Sequence, residues 1–125
     1  MKFSARSEKN LEGVHPDLVK VMRLAIEKTS VDFAITEGLR TPERQAELLA
    51  QKKSRTMNSR HLSGKAVDVM AFVDGKGSWL WSLYELINQA VQEAADELKI
   101  KVTWGGNWAS FRDGVHFELD REVYK

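Results

Sequence analysis

Apolar residues recur at helical spacing in three stretches of the chain and form short runs in four others. After Pro16, the residues Leu18, Met22, Ala25 and Ile26 fall close to one face, flanked by Val19 and Val21. Lys20, Arg23 and Glu27 fall outside it, which predicts a helix over 16–28. Proline suits the first helical position, and His15 is the expected capping residue. A second helix, over 42–52, begins with Thr41 as N-cap, Pro42 in the first turn and Glu43 placed to complement the dipole. Ala46, Leu49 and Ala50 supply its inner face. The longest helix is expected over 79–99, capped by Ser78, with Leu80, Leu83, Tyr84, Ile87, Val91, Ala94, Ala95 and Leu98 in one stripe. Trp79, Trp81 and Tyr84 at its start are assigned to the core rather than to a sugar-stacking platform.

Between these helices lie runs that read as strands: Val31 to Ile35, Lys65 to Phe72, Ile100 to Trp104 and Val115 to Leu119. Asp74-Gly75-Lys76-Gly77 closes the second run as a turn, and Gly105-Gly106 breaks the third and lets backbone pass close to substrate or to another strand. Residues 1–13 are polar and are expected to form an arm over the domain, with Ser7, Asn10 and Gly13 favouring turns. About three helices and four strands make an α+β domain.

Length and charge narrow the field. At 125 residues the chain is expected to be a single domain, 1–125. A net charge of +1 argues against a general nucleic-acid binder. No stretch approaches a membrane span, and the N-terminus has no apolar signal core, so no membrane insertion is expected. Cysteine is absent, so any metal must be held by nitrogen and oxygen.

The chemistry concentrates in Ser59-Arg-His61-Leu-Ser-Gly64-Lys-Ala66-Val-Asp68. Asp68 lies within an apolar run, where an unpaired carboxylate would cost several kcal/mol, so a cation must compensate it. His61, seven residues earlier, tilts the choice towards a metal. A second imidazole, His116, completes the three protein ligands that hydrolytic zinc sites use. Two carboxylates could serve as base. Glu118 shares a strand face with His116, and Asp113 precedes His116 by three residues across Gly114. Arg40, between a strand and a capped helix, has a rigid mount from which to reach into a cleft. The basic, hydroxyl-rich stretch 51–60 could form a rim attractive to anions.

Ser59-x-His61-x-x-Gly64-x-Ala66-x-Asp68 followed by Asp113-x-x-His116 resembles the zinc metallopeptidases that cleave bacterial cell-wall peptides. These are the D-alanyl-D-alanine carboxypeptidases and dipeptidases and the L-alanyl-D-glutamate peptidase endolysins of bacteriophages. Gly38-x-Arg40-Thr41 resembles the family's arginine element, so the likeness covers most of the chain. It implies a hedgehog/D-Ala-D-Ala-peptidase-like α+β fold and one Zn2+ ion held by His61, Asp68 and His116. Asp113 becomes the acid/base. Arg40 polarises the scissile carbonyl or holds a substrate carboxylate, Ser59 donates a hydrogen bond to substrate or to a neighbouring ligand, and Glu118 orients an imidazole. The short chain looks most like the endolysin branch, whose members are made in the host cytoplasm and reach peptidoglycan once a holin opens the membrane. The protein is expected to act as a monomer. The resemblance leaves room for a D-alanyl-D-alanine carboxypeptidase or dipeptidase, and for a zinc-stabilised wall-binding domain without turnover.

Overall fold

One antiparallel sheet, in the order β1-β2-β5-β4 with β3 also paired to β2, carries the site. In the computed structural model, which describes residues 1–53, 59–110 and 112–125, the helices are α1 (Ala5–Asn10), α2 (Pro16–Lys28), α3 (Pro42–Ala50) and α4 (Trp81–Leu98). The strands are β1 (Asp32–Glu37), β2 (Ala66–Val73), β3 (Lys76–Ser78), β4 (Val102–Trp104) and β5 (His116–Leu119). β2 is central. One edge pairs with β1 along its length, while the other pairs with β5 through Ala66 to Asp68 and with β3 through Ala71 to Val73.

Alternation along β2 separates core from site. Val67, Val69 and Ala71 are buried in one core with Leu18, Met22 and Ala25 of α2, Ile87, Val91 and Ala94 of α4, and Phe117 and Leu119 of β5. Asp68 emerges between them on the other face. Tyr84 is 2% exposed, yet its hydroxyl donates to the Ser78 carbonyl at 2.7 Å and accepts from the Ala71 N–H at 3.1 Å. The phenol thus packs as core without leaving a buried polar atom unmet.

Helices α2 and α3 start where Pro16 and Pro42 predict, with His15 Nδ1 accepting from Asp17 N–H and Thr41 Oγ accepting from Arg44 N–H. Elsewhere the fold corrects the sequence reading. Within the stretch expected as an arm over the domain, residues 5–10 form helix α1, capped by Ser4. Ser7 is buried, its Oγ accepting from Ile35 N–H, and Asn10 Nδ2 donates to the Ile35 carbonyl at 2.8 Å. The helix satisfies backbone groups that an edge strand would otherwise leave open.

The inner face of α3 is Gln45 and Leu48, whereas Ala46, Leu49 and Ala50 are exposed. A buried glutamine disguised the face, because amphipathicity is read from apolar residues alone. Only Asp74-Gly75, both at positive φ, form the turn, and Lys76–Ser78 return as β3. That pairing takes Ser78 out of the helix. α4 starts at Trp81 with Leu80 as an N-cap that makes no side-chain hydrogen bond. Trp79 and Leu80 are therefore exposed at 71% and 62%, outside the core, and Leu98 is also exposed at the far end.

Candidate functional site

Sheet register sets the first pair. Asp68 and His116 are cross-strand partners between β2 and β5, so their side chains share a face. His61 comes from a 3-10 turn, Arg60–Ser63, capped by Ser59, whose Oγ accepts from His61 N–H. Gly64, at φ 71°, ends the turn two residues before β2; a Cβ there would run into the Gly13 carbonyl. One donor atom from each of His61, Asp68 and His116 lies within 4.8 Å of the others. Two imidazoles and a carboxylate at that spacing could hold one metal ion.

Neighbouring acceptors orient both rings. His61 Nδ1 donates to the Gly38 carbonyl at 2.8 Å, which leaves Nε2 towards Asp68 Oδ1 at 3.2 Å. His116 has the opposite arrangement: Nε2 donates to Glu118 Oε1 at 2.9 Å, and Nδ1 faces the same Asp68 oxygen at 3.2 Å. Carbonyl and carboxylate partners of this kind hold a ligating imidazole in one tautomer. Burial opposes charge on His116, but the hydrogen bonds to Asp68 and Glu118 outweigh it and raise the ring's pKa to about 9. Asp68 shows the converse. Burial pushes its carboxyl up, and the bonds from His116 and His61 overcome that, holding it well below the usual carboxylate range.

Asp113 stands beside this group on a backbone tied to glycine. Its N–H donates to the Gly105 carbonyl at 3.0 Å, and a Cβ on Gly105 would meet the Asp113 carbonyl and the His116 Cβ. The close passage expected at Gly105-Gly106 is therefore against the site itself. Burial raises the Asp113 carboxyl pKa and the Asp68 charge adds to it, against the opposing pull of His116. A carboxyl tuned upward in a cleft is suited to proton transfer near neutral pH.

Arg40 is 8% exposed and tightly held. Its Nε and Nη2 donate to the two Glu37 oxygens at 2.7 and 2.8 Å, and Nη1 donates to Gln45 Oε1 at 2.7 Å and to Ser59 Oγ at 3.5 Å. Nη2 also lies 3.7 Å from Asp68 Oδ2. Glu37 follows a register irregularity in β1 and pairs with Asp68, which turns it into the site. Ser59 thus acts as an acceptor for both Arg40 and the His61 N–H. Glu118, 2% exposed, bridges His116 to Arg121 at 2.8 Å and Arg60 at 3.8 Å. Burial pushes its carboxyl up, and the bonds with His116 and Arg121 outweigh that and lower its pKa.

All seven residues singled out from sequence, Arg40, Ser59, His61, Asp68, Asp113, His116 and Glu118, line one cleft of about 580 Å3. Glu37, Trp108 and Arg112 also line it and were missed. Only the three-residue spacing from Glu37 to Arg40 could have signalled the first. Trp108 packs its ring 5.2 Å from that of His116. Of the expected basic rim, Lys53 and Arg60 line the cleft, while residues 54–58 lie outside the described residues.

The whole chain, residues 1–125, matches the family described as phage L-alanyl-D-glutamate peptidase. The L-alanyl-D-glutamate peptidase of Escherichia phage T5 is 34% identical over 131 residues, spanning 98% of this chain and 92% of that protein. The peptidase of the same name from Listeria phage A118 is 32% identical over 99 residues, 78% of this chain and 34% of that protein. Among solved structures, the Serratia marcescens L-Ala D-Glu endopeptidase ChiX superposes with a TM-score of 0.94 at 50% identity, covering 99% of this chain and 93% of ChiX. The zinc complex of the vancomycin-resistance D,D-pentapeptidase VanY shares the fold, with a TM-score of 0.58 at 17% identity over 85% of this chain and 72% of VanY. Matched from its first residue to its last, the chain belongs to the phage L-alanyl-D-glutamate peptidase family.

Proposed function

We propose that the protein is a zinc endopeptidase that hydrolyses the L-alanyl-D-glutamate bond of peptidoglycan stem peptides, with residues 1–125 forming one catalytic domain. The observation that carries this reading is the meeting, in one cleft, of a three-donor group with a carboxyl whose pKa is raised. His61 Nε2, Asp68 and His116 Nδ1 would hold the ion. When bound, zinc supplies Lewis acidity and brings a water's pKa towards neutrality.

The chain's own residues supply the rest. Asp113 takes a proton from the attacking water as its oxygen bonds to the alanyl carbonyl carbon. It then returns that proton to the glutamyl nitrogen as the C–N bond breaks. Arg40, clamped by Glu37, presents a fixed positive charge to the carbonyl oxygen or to a substrate carboxylate. Glu118 holds the His116 ring, and Ser59 braces both Arg40 and the turn that carries His61. Cleft cations including Lys53 and Arg112 favour a substrate that carries carboxylates, as stem peptides do.

Membership of a phage family supports a lysis enzyme, made in the host cytoplasm, that meets the wall after a holin opens the membrane, and we take it to act as a monomer. No helix among the described residues is long and apolar enough to cross a membrane.

Mass spectrometry of peptidoglycan digested by zinc-loaded protein tests the reading, alongside a chelated sample and Asp113→Ala. Peptides beginning at D-glutamate should appear only in the first. Released D-alanine without such peptides would move the scissile bond to the D-alanyl-D-alanine end. Activity retained in Asp113→Ala would transfer the base role to Glu118.

A further inference from the structure

The charges lining the cleft are unevenly paired. Arg40 is engaged by Glu37, and Arg60 and Arg121 by Glu118. Among the described residues, Lys53 and Arg112 line the cleft with no carboxylate partner. Arg112 differs from an ordinary surface arginine in how it is mounted. Its Nε donates to the Gly106 carbonyl at 2.9 Å, and its guanidinium carbon sits over the Trp81 ring, 4.4 Å from the centroid.

Those two anchors belong to the scaffold of the site. Gly106 follows the glycine packed against Asp113 and His116, and Trp81 packs against Gly114, between the same two residues. Trp81 is backed in turn by Trp104, whose Nε1 donates to the Gly114 carbonyl at 2.8 Å. With Nε and the ring face used, the two terminal nitrogens remain as a donor pair on a rigid mount beside the acid/base carboxylate. Paired donors of that kind match a carboxylate.

We propose that Arg112 forms a carboxylate-binding subsite on the leaving-group side of the scissile bond. There it takes the free α-carboxylate of the residue whose nitrogen Asp113 protonates. This rests on the L-alanyl-D-glutamate reading. In a stem peptide, glutamate is joined onward through its side chain, so its α-carboxylate is free unless amidated. The subsite makes Arg112 a specificity determinant: the enzyme distinguishes glutamyl from α-amidated glutamyl peptides. It also gives Trp81 a role apart from core packing, as the platform that keeps the guanidinium in place.

The test uses two synthetic stem peptides that differ only in a free or an amidated glutamyl α-carboxyl, with kcat and KM measured for zinc-loaded wild type, Arg112→Ala and Arg112→Lys. Wild type should favour the free acid. Arg112→Ala should reduce that preference about tenfold or more, the scale of one charge-assisted hydrogen bond, and chiefly through KM. Arg112→Lys, which keeps the charge without the fork, should recover part of it. Should Arg112→Ala fail to fold, Arg112→Gln retains a planar group for the Trp81 ring and is judged by the same ratio. Equal losses on the two peptides, or an unchanged ratio, would overturn the subsite alone. Cleavage of neither peptide by wild type would overturn the bond assignment and the subsite with it.

Discussion

Asp68 and His116 are opposite one another on neighbouring strands, and one Asp68 oxygen lies 3.2 Å from His116 Nδ1 and 3.2 Å from His61 Nε2. Residues from a turn and two strands therefore converge on a single atom. The acceptors behind the rings, Gly38 and Glu118, determine which nitrogens face it.

Metal uptake should depend on pH with a definite sign. In chelator-treated protein the His116 pKa rises from the ordinary 6.5 to about 9, so the proton must leave before Nδ1 can ligate. Zinc affinity measured by competition titration should increase from pH 6.5 to about 9, with release of about one proton per ion across that window. Stability of the stripped protein runs the other way. The His116 contribution is complete below pH 6.5 and lost through about 9, and that of Asp68 is present above 3.8 and lost as pH falls below it. Zinc affinity that does not change between pH 6.5 and 9 would remove His116 from the ligand set.

Glu37→Gln should loosen Arg40. The buried guanidinium loses its bidentate carboxylate, at a cost of about 2 kcal/mol given that Glu37 is partly exposed. Catalytic efficiency should drop about tenfold with zinc content unchanged, since neither residue ligates. Chemical denaturation and metal analysis would separate these effects. Full activity in a folded variant would mean that Arg40 needs no clamp.

Gly105→Ala should damage both fold and chemistry. The added methyl meets the Asp113 carbonyl and the His116 Cβ, so the backbone must give way, typically at about 1–3 kcal/mol. The midpoint of urea unfolding should fall, and turnover should fall further than partial unfolding explains, because Asp113 and His116 move together. A variant as stable and active as wild type would show that this contact does not constrain the site.

Glu118→Gln keeps the shape of the side chain but removes the charge facing His116. Weakening such a partner typically reduces metal affinity about 10- to 100-fold. Zinc competition assays would measure this, and unchanged affinity would assign Glu118 to its arginine neighbours, Arg60 and Arg121, instead.

Much of this protein is legible locally. Pro16 and Pro42 mark helix starts because a missing N–H and a fixed φ act at one residue, and the apolar run around Asp68 marks its strand and the anomaly of its charge. The sequence also places His61 close to Asp68 along the chain, and Asp113 close to His116. What the sequence left open depends on partners distant along the chain. Residues 5–10 become helical where they satisfy the β1 edge, Ser78 leaves the helix to pair with β2, and Gln45 is buried because Arg40 needs an acceptor. Trp79 and Leu80 end up exposed for the same reason, displaced from the helix by the hairpin. Propensity and periodicity are local quantities, so sequence alone determined the helices α2 and α3, the central strand and the residues capable of the chemistry. Only the tertiary structure could bring β5 against β2 so that His116 meets Asp68, turn Glu37 onto Arg40, and leave Arg112 on Trp81 without a carboxylate partner among the described residues.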